Sequence, residues 1–240
     1  MKNRLDRLMV ERGLAESREK AQAMIMAGEV RVNGQKAGKP GQSVDVEVLV
    51  EVLARPPYVG RGGFKMAGAL GHFGIDVTGM VCLDVGSSTG GFTDALLQAG
   101  AARVHCVDVG AGQLDWKLRN DARVAVHEGI NARDLAFSDI GELCDLLVCD
   151  VSFISLTLIL PAAVRLLQPG GQMVILIKPQ FEVGKGQVGK GGIVRDPALH
   201  QAACQRVTQA VTDLGFQTSI MDSPILGAEG NKEFLLHGHH

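Results

Sequence analysis

Four charged residues, Lys65, Asp150, Lys178 and Glu233, carry types that can move or hold a proton. Lys178 directly follows the apolar run Met173-Val-Ile-Leu-Ile177, where an unpaired ammonium would be costly to bury. Asp150 stands in the same way at the end of Leu146-Leu-Val-Cys149. In a doubly wound sheet the carboxyl ends of the parallel strands line the ligand crevice, so both positions predict side chains facing a ligand. Ordinary salt bridges at the sheet edge are the competing reading, and it weighs more for Glu233 than for Lys178.

A second feature is the turn Asp84-Val85-Gly86-Ser87-Ser88-Thr89-Gly90-Gly91, followed by Phe92. Gly86 permits a tight strand-to-helix turn, while Gly90 and Gly91 remove side chains that would keep a ligand from the helix amino terminus. The turn lacks the G-x-G-x-x-G spacing that cradles a pyrophosphate, and Asp84 precedes it, which favours S-adenosylmethionine over a dinucleotide. Residues 84, 86, 87, 90, 91 and 92 form the expected donor cradle. Asp108, at the end of the next strand, would accept hydrogen bonds from ribose hydroxyls, as it would equally in a dinucleotide site. Asn131 is a candidate for the adenine edge, with a loop-capping asparagine as the alternative.

The elements that must position these residues follow from periodicity. Strands are predicted at Val81–Val85, Val104–Asp108, Val124–His127, Asp145–Val151 and Met173–Ile177, with helices at Phe92–Ala99 and near Gln113–Leu118. This alternation predicts an α/β Rossmann-like domain with parallel strands. Pro161 starts or kinks a helix that stops at Gln168-Pro-Gly-Gly171, and Asp196-Pro197 opens a helix running to about Leu214. Strands near Gln217–Met221 and Lys232–Leu236 close the sheet. Ahead of it, Arg61-Gly-Gly-Phe-Lys-Met66 opens a helix carrying Phe64, Ala67 and Leu70. His237, His239 and His240 read as a frayed tail with weak metal capture at most.

The first forty residues differ in character: nine Lys or Arg stand against five acids, an excess of four, in a chain of net charge −2. Any attraction to nucleic acid is therefore local. Two helices are expected, Asp6–Glu11 and Arg18–Ala27, the second capped by Ser17 and stopped by Gly28. Asn33-Gly34 signals a type I′ hairpin, and the alternation Val44–Val52 a further strand. Pro56-Pro57 forces extended backbone. The expected division is a small α+β domain over residues 1–54, a linker over 55–60 and the larger domain over 61–240.

Five cysteines, Cys82, Cys106, Cys144, Cys149 and Cys204, show no C-x-x-C spacing and read as reduced core residues of a cytoplasmic protein. The amino terminus lacks an apolar signal region, and Leu156–Leu167 is too short to cross a bilayer. Neither membrane nor metal is called for.

The segments Arg4-Leu-Asp-Arg-Leu8, Ser17-Arg-Glu-Lys-Ala21 and Gly28-Glu-Val-Arg-Val-Asn-Gly34 resemble the S4 domain, a small RNA-binding module. That resemblance covers Arg4 to Val52. It places Arg4, Arg18 and Lys36 on RNA phosphates, where solvated surface charge is the alternative. The order Lys65, Asp150, Lys178, Glu233 resembles the K-D-K-E set of FtsJ-type RNA ribose 2′-O-methyltransferases. Together with Asp150-Val-Ser-Phe-Ile-Ser155, Lys178-Pro-Gln-Phe-Glu182 and Gly230-Asn-Lys-Glu-Phe-Leu235, it makes the chain similar to the TlyA family over nearly its whole length.

The resemblance implies methylation of a cytidine ribose, with ribosomal RNA or a ribosomal subunit as partner and S-adenosylmethionine as cofactor. It further implies a single site in the large-subunit RNA, because the chain is shorter than the broader-specificity members. Lys178 would be the base, its desolvation beside the sulfonium and Lys65 leaving an amine able to take the hydroxyl proton. Asp150 would orient it, and Lys65 and Glu233 would hold the hydroxyl and its neighbouring phosphate. The Gly-rich stretch Lys178–Arg195, with Lys185 and Lys190, could close over RNA; Arg61 and Arg133 are further phosphate contacts. A base-directed methyltransferase would favour prolines after Asp150, which Val151-Ser152 lacks. A non-catalytic RNA-binding protein leaves Lys65 and Lys178 unexplained. A secreted or pore-forming haemolysin finds no signal or span.

Overall fold

The computed structural model describes residues 2–53 and 56–240, without the side chain of Lys185. It divides into two compact units, Met1–Pro57 and Tyr58–His240. Arg55 of the expected linker and Ala54 before it lie outside the described residues, while residues 58–60 belong to the second unit. There Tyr58 packs edge-on to Phe64 with centroids 5.4 Å apart, and Val59 N donates to Asp94 Oδ2 at 2.9 Å.

The first unit contains β1 (Lys2–Arg4), α1 (Leu5–Glu11), α2 (Arg18–Met26), β2 (Val30–Val32), β3 (Gln35–Lys36), β4 (Ser43–Asp45) and β5 (Val50–Val52). Leu5, Leu8 and Met9 of α1 pack with Ala21 and Ile25 of α2 in a common core. Ser17 Oγ accepts from Lys20 N at 3.2 Å and so caps α2. Asn33 and Gly34 take φ of +50° and +78°, the pair a type I′ hairpin requires, and join β2 to β3.

The single strand expected over Val44–Val52 is two. β4 pairs with β1 and β5 with β2, in separate sheets. Between them the chain turns, held by the Arg12 guanidinium, which donates to the carbonyls of Val46 and Val48, and by Leu49 N donating to Asn33 Oδ1 at 3.0 Å. Alternation continued through the turn because Val46 and Val48 fit either conformation.

The second unit contains α3 (Gly62–Phe73), β6 (Val81–Val85), α4 (Gly91–Gln98), β7 (Arg103–Asp108), α5 (Trp116–Arg119), β8 (Val124–Glu128), α6 (Phe137–Ile140), β9 (Cys144–Cys149), α7 (Leu160–Ala163), β10 (Leu167–Ile177), α8 (Pro179–Glu182), α9 (Pro197–Asp213), β11 (Gln217–Asp222) and β12 (Phe234–His239). Its seven strands run in the order β8-β7-β6-β9-β10-β12-β11. The five from β6 to β10 are parallel, and β12 is antiparallel to both β10 and β11. The chain travels from β6 outward to β8, then returns to β9 on the other side of β6. That reversal opens a crevice at the carboxyl ends of β6 and β9.

Leu146, Leu147, Val148 and Cys149 of β9 are all fully buried, because Leu146 and Val148 pack toward α3 and α4 while Leu147 and Cys149 pack toward α7 and α9. A strand covered on both faces reads as a continuous apolar run. Cys82, Cys106, Cys144 and Cys149 are likewise buried as free thiols, and burial pushes Cys144 up to about 12.

Several boundaries depart from expectation. The helical segment that starts at Leu160 stops at Leu166, just before Gln168-Pro-Gly-Gly171, but those four residues lie within β10 and not in a turn, and the register of β10 against β9 shifts between Leu167 and Gln172. Such a bulge accommodates a proline that has no N–H to donate. The histidine tail is not frayed: His237 and His239 belong to β12, and His237 Nε2 lies 2.8 Å from Gln172 Oε1. In α3 the buried face is Lys65, Met66, Ala69 and Leu70, whereas Phe64 is exposed and covers Tyr58 instead.

Candidate active site

The turn between β6 and α4 is built around Asp84, which has no solvent exposure. Its Oδ2 accepts from Thr93 N at 3.1 Å and Thr93 Oγ1 at 2.6 Å, so the carboxylate ties β6 to the first turn of α4. Its Oδ1 is enclosed and accepts no hydrogen bond from any described residue. Burial, reinforced by the negative charge of Asp150, raises the Asp84 carboxyl to about 7.

Gly86 has φ +83°, and a Cβ there would lie 2.4 Å from the Asp150 carbonyl oxygen. The glycine is therefore required by the close approach of β9. Gly90 and Gly91 also make room for neighbouring elements: a Cβ at Gly90 would strike Leu118 Cδ1 at 2.2 Å, and one at Gly91 would reach Gly63 N at 3.0 Å. They admit α5 and α3, and Gly91 also lines a recess together with Asp84 and Gly86. Phe92 is buried in the core beneath α3. The amides of Gly86 and Ser87 both donate to Val107 O, at 2.8 and 3.2 Å, and Ser88 N donates to Asp108 Oδ2 at 2.8 Å. Asp108 Oδ1 accepts from Gly110 N at 2.8 Å. Asn131 caps its own loop, Oδ1 accepting from Arg133 N at 3.2 Å and from Arg133 Nε at 3.4 Å.

Gly86, Asp108, Asn131 and Asp150 border one crevice of about 1220 Å³, and Asp84, Ser87, Gly62 and Lys178 line a recess of about 170 Å³. The donor set suits S-adenosylmethionine. Asp84 Oδ1 is an unpaired acceptor for an amino group, and Asp108 keeps lone pairs for vicinal hydroxyls.

The four charged residues form two ion pairs. Lys178 Nζ lies 2.5 Å from Asp150 Oδ1 and donates to Ser152 Oγ at 3.0 Å. Lys65 Nζ lies 2.6 Å from Glu233 Oε2, with side-chain exposures of 9% and 3%. The first pair borders the recess and the second is closed from solvent, so Lys65 and Glu233 face each other and brace α3 against the start of β12.

Residues missed in the sequence surround the first pair. Phe153 takes φ +67° and is 91% exposed, an uncommon backbone for a bulky side chain. Its ring meets Phe181 at 5.2 Å. Glu182 is buried and accepts from Ser155 Oγ at 2.6 Å and Leu156 N at 2.8 Å, joining α8 to the loop after β9. Burial raises its carboxyl. Positive φ at a phenylalanine leaves no mark in a single sequence; the Ser152-Phe153 pair at a strand end was the available signal.

Of the expected RNA contacts, Arg4 and Arg18 converge on Asp6, which has no solvent exposure, at 2.8 and 3.0 Å. Gln22 Nε2 also donates to Asp6 at 2.8 Å. These donors, the Arg4 guanidinium foremost, hold the Asp6 carboxyl well below the usual carboxylate range. The two arginines thus have a structural anchor and remain about 44% and 42% exposed. Lys36 folds across Gly28. In the second unit, Arg61 donates to Leu226 O at 2.7 Å, Arg133 borders the crevice and Lys190 is exposed. The Lys185 side chain lies outside the described residues.

A seven-stranded sheet with this reversal, an acidic residue before its first turn and lysine–carboxylate pairs at its edge defines a methyltransferase of the Rossmann-like class. The chain belongs to the FtsJ-like methyltransferase family, matched over residues 58–240, and carries an S4 domain matched over residues 3–50. It is 48% identical to the 16S/23S rRNA (cytidine-2′-O)-methyltransferase TlyA of Mycobacterium tuberculosis, over 97% of this chain and 88% of that protein. Hemolysin A of Brachyspira hyodysenteriae is 44% identical over 98% of each. A solved structure described as a hemolysin from Streptococcus thermophilus superposes with a TM-score of 0.75 at 45% identity, covering 99% of this chain and 88% of that one. Among the described residues no helix is long and apolar enough to cross a membrane.

Proposed function

We propose that the protein methylates the ribose 2′-hydroxyl of a cytidine in ribosomal RNA, with S-adenosylmethionine as donor. The observation that carries the reading is the Lys178–Asp150 pair at 2.5 Å, set where the sheet reverses and beside the unpaired Asp84 Oδ1. The family membership and the name of the Mycobacterium relative support it.

When bound, S-adenosylmethionine supplies a methyl group on a cationic sulfur. Asp84 holds the amino group of the donor, Asp108 its ribose hydroxyls and Asn131 its adenine edge. The 2′-hydroxyl is a weak nucleophile until its proton leaves. Paired with Asp150, Lys178 is an ammonium, and the positive charge of a bound donor would favour release of its proton to solvent; the neutral Nζ then takes the hydroxyl proton as the oxygen takes the methyl group and the sulfur keeps the bonding pair. Asp150 and Ser152 keep the amine aimed. The Lys65–Glu233 pair keeps α3 in place, so that Gly62, at its first turn, and Lys178 border one recess of constant shape. Phe153 offers an exposed ring for a base, as aromatic side chains do in recognition of unstacked RNA. Arg4, Arg18, Lys36, Arg61, Arg133, Lys185 and Lys190 provide phosphate contacts. The S4 domain supports RNA as the partner.

The test is transfer of labelled methyl groups to each ribosomal subunit and to its free RNA, with the product mapped by ribose-methylation-sensitive digestion. Label on a cytidine ribose is expected; label confined to bases would refute the assignment.

A further inference from the structure

Past Asp150 the crevice continues between the loop after β9 and α8, where Phe153, Ile154, Leu158, Phe181 and Val183 make its walls largely apolar. One polar atom among them has no account. Gln180 borders this part of the crevice, and its Oε1 is enclosed yet accepts no hydrogen bond from any described residue.

The amide is carried on a well-anchored element. Glu182, two residues on, accepts from Ser155 Oγ and Leu156 N, and Arg206 donates to the Glu182 carbonyl at 3.0 Å. An enclosed acceptor without a donor is unfavourable, and a ligand that brings an N–H relieves the cost. The carboxylate and amide groups suited to the methyl donor, Asp108, Gln113 and Asn131, border the crevice from the β7 and β8 side. Gln180 borders it from the β10 side, with Lys178 two residues before it.

A group there meets the acceptor nucleotide. The geometry points to Gln180 as the residue that reads the target base, its Oε1 accepting from the exocyclic N4 amino group of cytosine while the ring rests against the Phe153 and Phe181 side chains. Cytosine presents a donor at that position and uracil an oxygen, so an acceptor at this point of the crevice wall separates the two. The inference rests on the cytidine reading above and adds the group that enforces it.

The test compares kcat/KM for methyl transfer by full-length wild type and by Gln180→Leu. Each acts on the RNA fragment that wild type labels, carrying at the target either cytidine or 2-pyrimidinone riboside, which lacks only the amino group. Removing the amino group is expected to slow wild type about tenfold or more and to leave Gln180→Leu within about twofold. An equal loss in both proteins overturns the inference. Gln180→Glu keeps an acceptor and is expected to retain the wild-type dependence on the amino group; its loss there also overturns the proposal, and this variant decides the matter where Gln180→Leu does not fold. Calorimetric affinity for S-adenosylmethionine is expected to be unchanged in both variants, and a tenfold loss would assign the amide to the donor instead. Failure of the underlying reading is separately visible: wild type would leave no label on any cytidine ribose, and the inference would fall with it.

Discussion

Lys178 and Glu233 stand one residue beyond the same register pair, Ile177 against Phe234, yet each is paired with a residue from elsewhere in the chain. Lys178 pairs with Asp150 and Glu233 with Lys65. The two pairs differ in exposure, and the difference predicts different consequences of mutation. Glu233→Ala strands a buried ammonium, which is expected to cost about 3–5 kcal/mol of stability. Lys65→Met combined with Glu233→Leu removes both charges and is expected to restore most of that stability without restoring activity. Thermal or urea unfolding of the two variants beside wild type checks this; a double variant as unstable as Glu233→Ala would show that the pair does more than neutralise itself.

Lys178→Ala is expected to lower kcat by about 10²–10⁴-fold, the range of a positioned acid or base. Affinity for S-adenosylmethionine and for RNA should hold, because Asp84, Asp108 and the first unit are untouched. Single-turnover methyl transfer beside equilibrium binding separates the two quantities. Full methyl transfer by the variant would remove Lys178 from the mechanism.

Much of this site could be read from the chain because its strands announce themselves. Leu146 to Cys149 and Met173 to Ile177 are apolar without interruption, and a charged residue ending such a run stands out. Partners could not be read. Lys65 and Glu233 are 168 positions apart, and only the antiparallel return of β12 beside β10 brings them together. Asp6 passed unnoticed because a lone acid among arginines looks like surface charge, whereas α1 and α2 bury it between Arg4, Arg18 and Gln22. The turn's glycines hold a further role that its own sequence does not reveal: Gly90 admits the side chains of Leu114 and Leu118, from beyond β7, and Gly91 the backbone of α3.

Asp84 makes donor binding depend on pH. Its carboxyl sits at about 7 in the free protein because it is buried, and a cationic amino group beside Oδ1 would favour the ionised form. Binding then releases a proton below pH 7. Affinity for S-adenosylmethionine is expected to rise by up to about tenfold per unit as pH increases toward 7, and to level above it. Calorimetry in buffers of different ionisation enthalpy measures the released proton directly. Asp84→Asn should bind more weakly at pH 8 and lose the slope; an unchanged slope in that variant would assign the proton to another group.

Asp6 carries a shift of the opposite sign, which makes the stability of the first unit sensitive to acid. Its folded-state carboxyl is depressed, first by the hydrogen bonds from Arg4 and then by those from Gln22 and Arg18. The stabilisation is therefore complete above the ordinary carboxylate value near 4 and is lost as pH falls below it. Asp6→Asn keeps the shape but removes the charge, leaving Arg4 and Arg18 without their common counterion. The variant is expected to lower the melting temperature of this unit by about 5 °C or more at pH 7, and by less as the pH drops toward 3. Because the same arginines are proposed to meet phosphate, RNA affinity should fall with the order of the unit and not with net charge, which the substitution makes more positive. Tighter RNA binding by Asp6→Asn would mean that Asp6 competes with RNA for Arg4 and Arg18 instead of presenting them.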